Sequence, residues 1–307
     1  MSILPSNQSP LGALPSRFRR QRILVIGCGD VALRVVRQAT AGVLWLALTS
    51  SPERHGPLRA AGITPLVGNL DQSAGLRRLA GLGHRLLYLA PPPTDGRTDP
   101  RASSLTRALR RRSGPQSAVY GSTTGVYGDC GGDWVDERRP VMPQTPRAQR
   151  RVYAEAVMRI WGKATGTPVS VLRIPGIYAS DREGGTPEAR LQKGTPVLRQ
   201  EDDVYTNHIH ADDLARACWR ALWKAPAQRV FNISDDTQLK MGDYFDLAAG
   251  IYGLPKPPRI ARDSAGSVLP VMLLSFMSES RRIDNCRMKA ELGVRLRFPD
   301  VADGLRG

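Results

Sequence analysis

A glycine-rich turn, GCGDVA at residues 27–32, is the strongest chemical signal in the sequence. It follows a run of aliphatic residues and precedes a helical pattern, which is the context that a dinucleotide-binding turn requires. Gly27 permits the tight turn, Gly29 lets the backbone approach a diphosphate, and the small Ala32 lets the helix pack on the strand. The helix N-terminus then faces the anion. The predicted cofactor contacts in this turn are Gly27, Cys28, Gly29, Asp30 and Val31.

Asp30 is the unusual residue of the turn, because a carboxylate beside a diphosphate repels it unless the side chain points outward or caps the helix. An acid that faces solvent at the helix N-terminus is the simpler interpretation.

The nucleotide preference depends on the turn about 20 residues further on, where an acid that binds the ribose 2′-hydroxyl indicates NAD. Here the turn reads TSSPER, with Ser50, Ser51 and Arg54. Hydroxyls and a guanidinium suit the 2′-phosphate of NADP better than an acid would. We therefore expect NADP as the cofactor, and Glu53 leaves NAD open as the alternative.

Apolar runs that alternate with helical or turn-rich segments position this site. The runs cover residues 23–26, 43–48, 63–67, 85–89, 117–120 and 169–172. Such alternation predicts an α/β fold with a doubly wound, parallel Rossmann-type sheet. After residue 175 the sequence is rich in Gly and Pro, which predicts a smaller C-terminal substrate-binding lobe over the carboxyl ends of the strands.

Composition excludes several classes of protein. The 307 residues are 41% apolar and 23% charged, as in ordinary soluble domains. The longest apolar runs, residues 41–49 and 268–277, are shorter than a membrane span, and no secretory leader opens the chain. Four separated cysteines without a CxxC pair predict neither a zinc site nor a disulfide framework. A cytoplasmic protein without a membrane segment is the expectation.

The net charge of +16 attracts anions. Basic clusters lie at residues 17–22 and 107–112, but the interleaved aromatic residues of a nucleic-acid surface do not accompany them. Arginines on solvated faces are the simpler interpretation. We expect an anionic small-molecule substrate rather than a nucleic-acid partner.

Further motifs, in their order along the chain, resemble the extended and atypical short-chain dehydrogenase/reductase superfamily, and more narrowly its NAD-dependent epimerase/dehydratase group. They are GNLDQ at 68–72, YLAPPP at 88–93, VYGSTTGVYGD at 119–129, LRIPGIYA at 172–179, NHIHADDLARA at 207–217 and RRIDNCRMKAELG at 281–293. The resemblance runs from about residue 22 to the C-terminus. It implies further cofactor contacts at Asn69, Leu70, Leu89, Ala90, Pro91, Pro175 and Ile177.

The same resemblance divides the chain. Residues 1–20, which contain no acid, form a predicted flexible basic tail. Residues 21–175 form the nucleotide-binding domain, and residues 205–235 return to its sheet. Residues 176–204 and 236–307 form the smaller lobe.

Enzymes of this family use a Ser/Thr–Tyr–Lys set, in which tyrosine transfers a proton, lysine lowers the tyrosine pKa, and the hydroxyl orients the substrate. The resemblance assigns the hydroxyl to Thr123. The family pattern TP-Y-xxx-K-xx-AE aligns with TPRAQRRVYAE at residues 145–155. Arg147 therefore stands where tyrosine is expected, and Arg151 stands where lysine is expected.

Arginine is a poor proton donor near neutral pH because its pKa stays above about 12. Arg151 could hold ribose hydroxyls or a phosphate, and Arg147 could bind an anionic substrate or an oxyanion. The alternative is that both cover a solvated face. Tyr153 lies on the apolar stripe of the helix, so we expect it to pack rather than to react. Tyr127 and Tyr178 are further candidate acids, ranked below Thr123.

The predicted substrate contacts are Thr124, Tyr178, Asn207 and His208. The Asp-Glu pair of the dehydratase subgroup is absent after Thr123, so sugar-nucleotide dehydration of that type is not expected. His210 and Asp213 are expected to fix their loop. The histidines of this segment have no evident third ligand, so we expect no metal site.

Two functions remain open, with a third supported by charge alone. The first is an NAD(P)-dependent oxidoreductase or epimerase that acts on a nucleotide-sugar-like or other anionic carbonyl or alcohol substrate. The second is a non-catalytic NADP-binding sensor or regulator, since some atypical family members lack the tyrosine. The third is an RNA-associated protein. The resemblance also implies a homodimer through the helix at residues 147–161, with Val157, Ile160 and Trp161 towards the partner.

Overall fold

A computed structural model of the protein describes residues 20–270, 273–274 and 277–307. The predicted tail at residues 1–20 lies outside them except for Arg20. The strands are β1 Gln21–Ile26, β2 Val43–Thr49, β3 Ile63–Val67, β4 Arg85–Tyr88, β5 Ser117–Thr123, β6 Trp134–Val135, β7 Val169–Ile174, β8 Gly176–Tyr178, β9 Val197–Leu198, β10 Tyr205–Thr206, β11 His208–His210, β12 Arg229–Asn232, β13 Leu239–Lys240, β14 Arg259–Ile260 and β15 Arg282–Ile283. The α-helices are α1 Asp30–Gln38, α2 His55–Ala60, α3 Ser73–Leu76, α4 Pro100–Leu109, α5 Pro146–Thr165, α6 Glu188–Gln192, α7 Ala211–Lys224, α8 Met241–Tyr252, α9 Arg262–Val268, α10 Cys286–Leu292 and α11 Val301–Arg306.

Seven parallel strands form the central sheet in the order β12-β7-β5-β4-β1-β2-β3. The six apolar runs of the sequence coincide with β1, β2, β3, β4, β5 and β7. The predicted α/β fold with a doubly wound Rossmann-type sheet is therefore confirmed.

Alternate side chains of each strand enter two separate cores, because successive residues of a strand point to opposite faces. In β1, Ile23 and Val25 pack with α1, α2 and α7, whereas Leu24 and Ile26 pack with α3, α4 and α5. Burial on both faces explains why the strands read as continuous apolar runs. In the part of the chain that the structure describes, no helix combines the length and apolarity needed to cross a membrane.

A third core joins β8, β9, α6, α8, α9 and α11. The predicted boundary of the lobe needs one correction. Met288 and Leu292 of α10 lie in the core of the sheet, where α10 packs on α7 and β12. Part of the segment 236–307 thus covers the sheet, because the apolar side of α10 is buried there.

Candidate active site

The GCGDVA turn lies where the strand order reverses, since β2 and β3 are on one side of β1 and β4 is on the other. This is the crevice in which open α/β sheets bind ligands. Gly27 has φ +86°, and a Cβ there would lie 2.3 Å from the backbone nitrogen of Ala90. Only glycine fits without displacing the backbone. At Gly29 a Cβ would meet no atom within 4 Å, so this position is open.

A cavity of about 250 Å³ opens beside the turn. The predicted site residues that line it are Gly27, Gly29, Asp30, Val31, Leu89, Thr123, Arg147, Arg151, Pro175 and Ile177. The residues that sequence reasoning did not select are Ala32, Gly121, Ser122, Ile174, Arg182 and Leu214. The turn after β1, the end of β5, the first turns of α5 and the loop after β7 therefore meet at one place.

Asp30 is not simply an acid that faces solvent. Its carboxylate pairs with Arg34 at 3.0 Å and lies 3.8 Å from Arg182. Arg34 is buried and also pairs with Asp212 at 2.7 Å and with Asp181. Although burial alone would lower the pKa of Arg34, hydrogen bonds from these three carboxylates raise it. The i, i+4 spacing of Asp30 and Arg34 was the one signal in the sequence that could have revealed this cluster.

Arg151 is buried, with 8% of its surface exposed, so it does not cover a solvated face. Its Nη1 donates to the carbonyl oxygens of Gly121 at 2.8 Å and Ala90 at 3.3 Å, and to the hydroxyl of Tyr120 at 3.1 Å. These bonds tie α5 to β5 and to the loop after β4. The guanidinium thus forms part of the cavity wall and fixes the elements around it.

Arg147 lies one turn before Arg151, lines the cavity and is exposed. Desolvation, and then the neighbouring Arg151 and Arg150, lower the pKa of Arg147, but a guanidinium stays charged near neutral pH. No hydrogen bond or ion pair joins Arg147 to any other described residue. A cation held in this way is free to bind an anion from solution.

Thr123 lines the cavity at the end of β5, and its hydroxyl accepts a hydrogen bond from the backbone nitrogen of Gly125 at 3.3 Å. The neighbouring Ser122 also lines the cavity and donates to Glu155 Oε1 at 2.6 Å. Glu155 in turn forms a buried ion pair with Arg173 at 2.8 Å. This pair joins β5, α5 and β7 directly beneath the hydroxyls of the site.

The structure does not bring Tyr127 to the cavity, which corrects its proposed role as an acid. Its side chain is 1% exposed and its hydroxyl donates to Asn232 Oδ1 at 2.7 Å. Burial, opposed by Arg173, raises the pKa of Tyr127 to about 12. The hydroxyl is therefore hydrogen-bonded to β12, which is separated from β5 by β7 in the sheet.

The predicted substrate contacts Thr124, Tyr178, Asn207 and His208 also lie outside the cavity lining. Thr124 and Tyr178 are buried, and Tyr178 packs against the rings of His208 and His210. The Asn207 side chain donates to the carbonyl oxygen of Arg281 and accepts from the nitrogen of Ile283. These bonds hold Asn207 against the segment that leads into β15, whereas the Tyr178 hydroxyl and His208 Nδ1 are buried without a hydrogen-bond partner among the described residues.

His210 and Asp213 fix their loop, as the sequence indicated. His210 Nδ1 accepts from the backbone nitrogen of Asp212 at the start of α7. Asp213 is fully buried and accepts from the backbone nitrogens of Arg297 and Phe298.

His208 predicts a measurable pH dependence of stability. Burial lowers its pKa to about 4, whereas the unfolded chain takes up this proton as the pH falls through about 6.5. The unfolded state therefore binds more protons between these values, so stability falls as the pH drops through them. Wild type is expected to lose about 2 kcal/mol more unfolding free energy than His208→Gln between pH 7 and pH 5. Urea denaturation at both pH values measures it, and parallel losses in the two proteins would contradict it.

The predicted adenosine side lies beyond the cavity, at the ends of β2 and β3. Thr49 accepts from the nitrogen of Ser51 at 3.2 Å, and Ser50 is exposed. The Arg54 guanidinium donates to the carbonyl oxygen of Cys28, so it lies over the glycine turn. Asn69 and Leu70 are half-buried in the turn after β3. Arg54 has no carboxylate partner among the described residues.

The surface of α5 fits the predicted dimer helix only in part. Trp161 is buried in the core of its own chain, with 1% exposed, so it is not available to a partner. Ile160 is exposed. Tyr153 is exposed rather than packed in the core, and its hydroxyl contacts Ser103 of α4 at 3.2 Å.

These residues fit a nicotinamide dinucleotide. The tight Gly27 turn, the open Gly29 position and the N-terminus of α1 form a cradle for a diphosphate. Asp30 would disfavour the anion if it were unpaired, but Arg34 and Arg182 neutralise it.

Comparison with known proteins finds similarity to the NAD dependent epimerase/dehydratase family. A model of the NAD dependent epimerase/dehydratase family matches residues 102–234, which include β5 and α5. This match covers less than half of the chain. The chain is similar to dTDP-L-rhamnose 4-epimerase of Burkholderia thailandensis, with 26% identity over 132 residues, or 39% of this chain and 36% of that protein. The chain matches less than half the length of the curated relatives.

Solved structures share the architecture of this chain over 93% of its length. A functionally unknown conserved protein from Silicibacter pomeroyi is 31% identical with a TM-score of 0.78, over 93% of this chain and 96% of that one. UDP-glucuronic acid 4-epimerase from Bacillus cereus, in complex with NAD, is 16% identical with a TM-score of 0.73 and the same coverage. The chain thus shares the Rossmann-type fold of these solved structures.

The lining of this site contains no tyrosine, lysine, histidine or cysteine among the described residues. Its titratable groups are Asp30, Arg147, Arg151 and Arg182. The assignment of Arg147 and Arg151 to the tyrosine and lysine positions of the epimerase/dehydratase pattern stays a prediction from the sequence. Their common position on α5 at the cavity wall is what the structure adds.

Proposed function

We propose that the protein is an NADP-dependent reductase of anionic carbonyl compounds, of the nucleotide-sugar or a related class, that works without a tyrosine acid. The observation that carries this proposal is Arg147. It is a cation at the cavity wall, near Thr123, with no protein partner among the described residues. A group of this kind binds and activates an oxyanion rather than donating a proton.

The proposed reaction needs little from the protein except charge and position. The cofactor, when bound, supplies the hydride. The Arg147 guanidinium would donate hydrogen bonds to the substrate carbonyl oxygen and stabilise the negative charge that develops on it. Thr123 would orient the carbonyl by donating a hydrogen bond to it, since the only hydrogen bond of its hydroxyl among the described residues is one that it accepts. The alkoxide then takes its proton from water.

The charge of the cavity supports an anionic substrate. Three guanidiniums, those of Arg147, Arg151 and Arg182, line it, and Asp30 is the one acid among the lining residues. Asp30 is already paired with Arg34. A substrate carboxylate or phosphate would therefore be attracted at close range.

The second candidate is a non-catalytic NADP-binding regulator. The described lining contains no tyrosine, lysine, histidine or cysteine, and this favours the regulator, because oxidation of an alcohol needs a base of suitable pKa. Hydride transfer separates the two candidates, since a regulator binds the cofactor without turnover.

Arg147 variants test the enzyme directly. NADPH oxidation is followed with a panel of aldehydes and ketones, each offered as a carboxylate and as its neutral amide. We expect turnover of carboxylates, and we expect Arg147→Gln to reduce kcat/KM by about 100-fold, as for loss of an oxyanion donor. Arg159→Gln, an exposed arginine of the same helix outside the cavity, is the matched control and should leave kcat/KM unchanged. Cofactor binding without turnover of any carbonyl would support the regulator instead.

Arg54 tests the cofactor preference. If its guanidinium faces the 2′-phosphate, Arg54→Ala should weaken NADP binding about 10-fold and NAD binding far less, because only NADP carries that group. Isothermal titration with both nucleotides measures this, with Arg59→Ala, an exposed arginine of α2, as the control. Equal affinities of wild type for NADP and NAD would refute the NADP assignment.

A further inference from the structure

The carboxylate of Asp30 lies at the first position of α1, where the phosphates of a dinucleotide would approach. An isolated acid there would weaken binding, since it opposes the favourable field of the helix N-terminus. Asp30 is held in place by a cluster of five charged residues, which we call the Arg34 cluster: Asp30, Arg34, Asp181, Arg182 and Asp212. The arrangement of this cluster indicates what Asp30 does.

Arg34 is the centre of the cluster and is 4% exposed. Its Nε donates to Asp30, its Nη1 to Asp212 at the start of α7, and its Nη2 to Asp181 in the loop after β8. All three guanidinium nitrogens are therefore used inside the protein. Because Arg34 is buried and each of its guanidinium nitrogens donates to a carboxylate, its role is to fix three separate segments around the glycine turn.

Arg182 has a different position. It lines the cavity, its Nη1 donates to the carbonyl oxygen of Ile177 at 3.2 Å, and its Nε lies 3.8 Å from Asp30 Oδ2. Its Nη2 has no protein partner in the described part of the chain, and 30% of its side chain is exposed. Asp30 and Ile177 thus contact Nε and Nη1 of the guanidinium and leave Nη2 available.

The net charge of the Arg34 cluster disfavours a phosphate beside Asp30 unless a cation lies there as well. Three carboxylates surround two guanidiniums, so the cluster carries a net negative charge when no ligand is bound. A diphosphate adds further negative charge beside it, and the partial charge of the helix N-terminus alone is about half an elementary charge. Arg182 is the cluster member whose free donors can offset the incoming phosphates.

We propose that Arg182 is a diphosphate-binding residue and that Asp30, itself held by Arg34, is the anchor that aims it at the phosphates. The proposal rests on the proposed dinucleotide function and adds to it two residues that the glycine motif does not specify. Asp181 and Asp212 complete the anchor by keeping the loop after β8 and the start of α7 against Arg34.

The direction in which Asp30→Asn changes the dissociation constant distinguishes this role from simple repulsion. If Asp30 only repels the diphosphate, Asp30→Asn removes a charge and strengthens binding. If Asp30 anchors Arg182, the same change releases the guanidinium and weakens binding. The two accounts therefore predict opposite shifts in the dissociation constant.

The experiment titrates NADP and NAD into wild type, Asp30→Asn, Arg182→Gln and the double variant by calorimetry. Each single change is expected to raise the dissociation constant of the preferred nucleotide about 10-fold. The double variant should be little weaker than Arg182→Gln, because the two residues act as one unit. Adenosine 2′-monophosphate, which lacks the diphosphate, should bind all four proteins alike. Asp303→Asn and Arg306→Gln, from an exposed pair at 3.4 Å in α11, are the charge-matched controls.

Three results overturn the proposal while dinucleotide binding stands. The first is tighter or unchanged binding in Asp30→Asn, and the second is wild-type affinity in Arg182→Gln. An equal loss of adenosine 2′-monophosphate binding would also overturn it, since that indicates general distortion of the site. If wild type binds neither dinucleotide, the proposed function fails and this proposal fails with it.

Discussion

Replacement of Gly27 by alanine is expected to lower the unfolding free energy by about 3 kcal/mol and to abolish dinucleotide binding. The added Cβ would lie 2.3 Å from the nitrogen and 2.5 Å from the Cα of Ala90, and φ at this position is +86°. The obstacle is backbone rather than a flexible side chain, so overpacking and an unfavourable φ act together. Urea denaturation and NADP titration measure the two effects.

Gly29→Ala is the matched comparison. Its Cβ would meet no atom within 4 Å, and its φ of −88° suits alanine. We expect wild-type stability with at least about 10-fold weaker NADP binding, because the methyl group would occupy the space that the diphosphate needs. A stable Gly27→Ala protein, or a Gly29→Ala protein that binds NADP normally, would contradict this account of the turn.

Removal of Glu155 is expected to have an effect of similar size. Glu155→Ala leaves the guanidinium of Arg173 buried without its carboxylate, and the Ser122 hydroxyl loses its acceptor. Breaking a buried ion pair in this way costs about 3–5 kcal/mol. The loss would also release the end of β5, so we expect weaker cofactor binding together with the lower stability.

The control for Glu155 is the exposed pair of Asp133 and Arg139, at 3.2 Å. Asp133→Ala should change the unfolding free energy by less than about 1 kcal/mol. Adding Arg173→Met to Glu155→Ala should recover part of the loss, because the unpaired buried charge is then removed. Equal losses of unfolding free energy in Glu155→Ala and Asp133→Ala would show that the buried ion pair does not stabilise the site.

The sequence predicted the sheet well because each strand buries both faces and therefore reads as an unbroken apolar run. The start and end of α5 were readable for the same local reasons: Thr145 caps its N-terminus by accepting from Ala148, and Gly166 ends it in the left-handed conformation. The glycine turn could be predicted because its function depends on backbone geometry that only certain residue types adopt.

The directions of side chains at the strand ends could not be predicted from the sequence. Tyr127 follows β5 and was a reasonable candidate acid, but its hydroxyl meets Asn232, which lies 105 residues later. Partners this distant leave no local pattern.

The Arg34 cluster shows the same limit, since Asp181 and Asp212 lie 147 and 178 residues from Arg34. Its one local pair, Asp30 with Arg34, follows helical spacing. Arg182 lies in an irregular loop with no motif that would single it out.

A crystal structure of the protein with NADP tests the central claim most directly, namely that an arginine-lined site binds the dinucleotide without a tyrosine acid. The account predicts the diphosphate at the Gly29 amide and Arg182, and the nicotinamide beside Thr123 and Arg147. No tyrosine hydroxyl or lysine should lie within hydrogen-bonding distance of the reactive carbon region. A hydroxyl of Tyr127 or Tyr178 turned towards the nicotinamide, or a crevice that stays empty at saturating NADP, would contradict it.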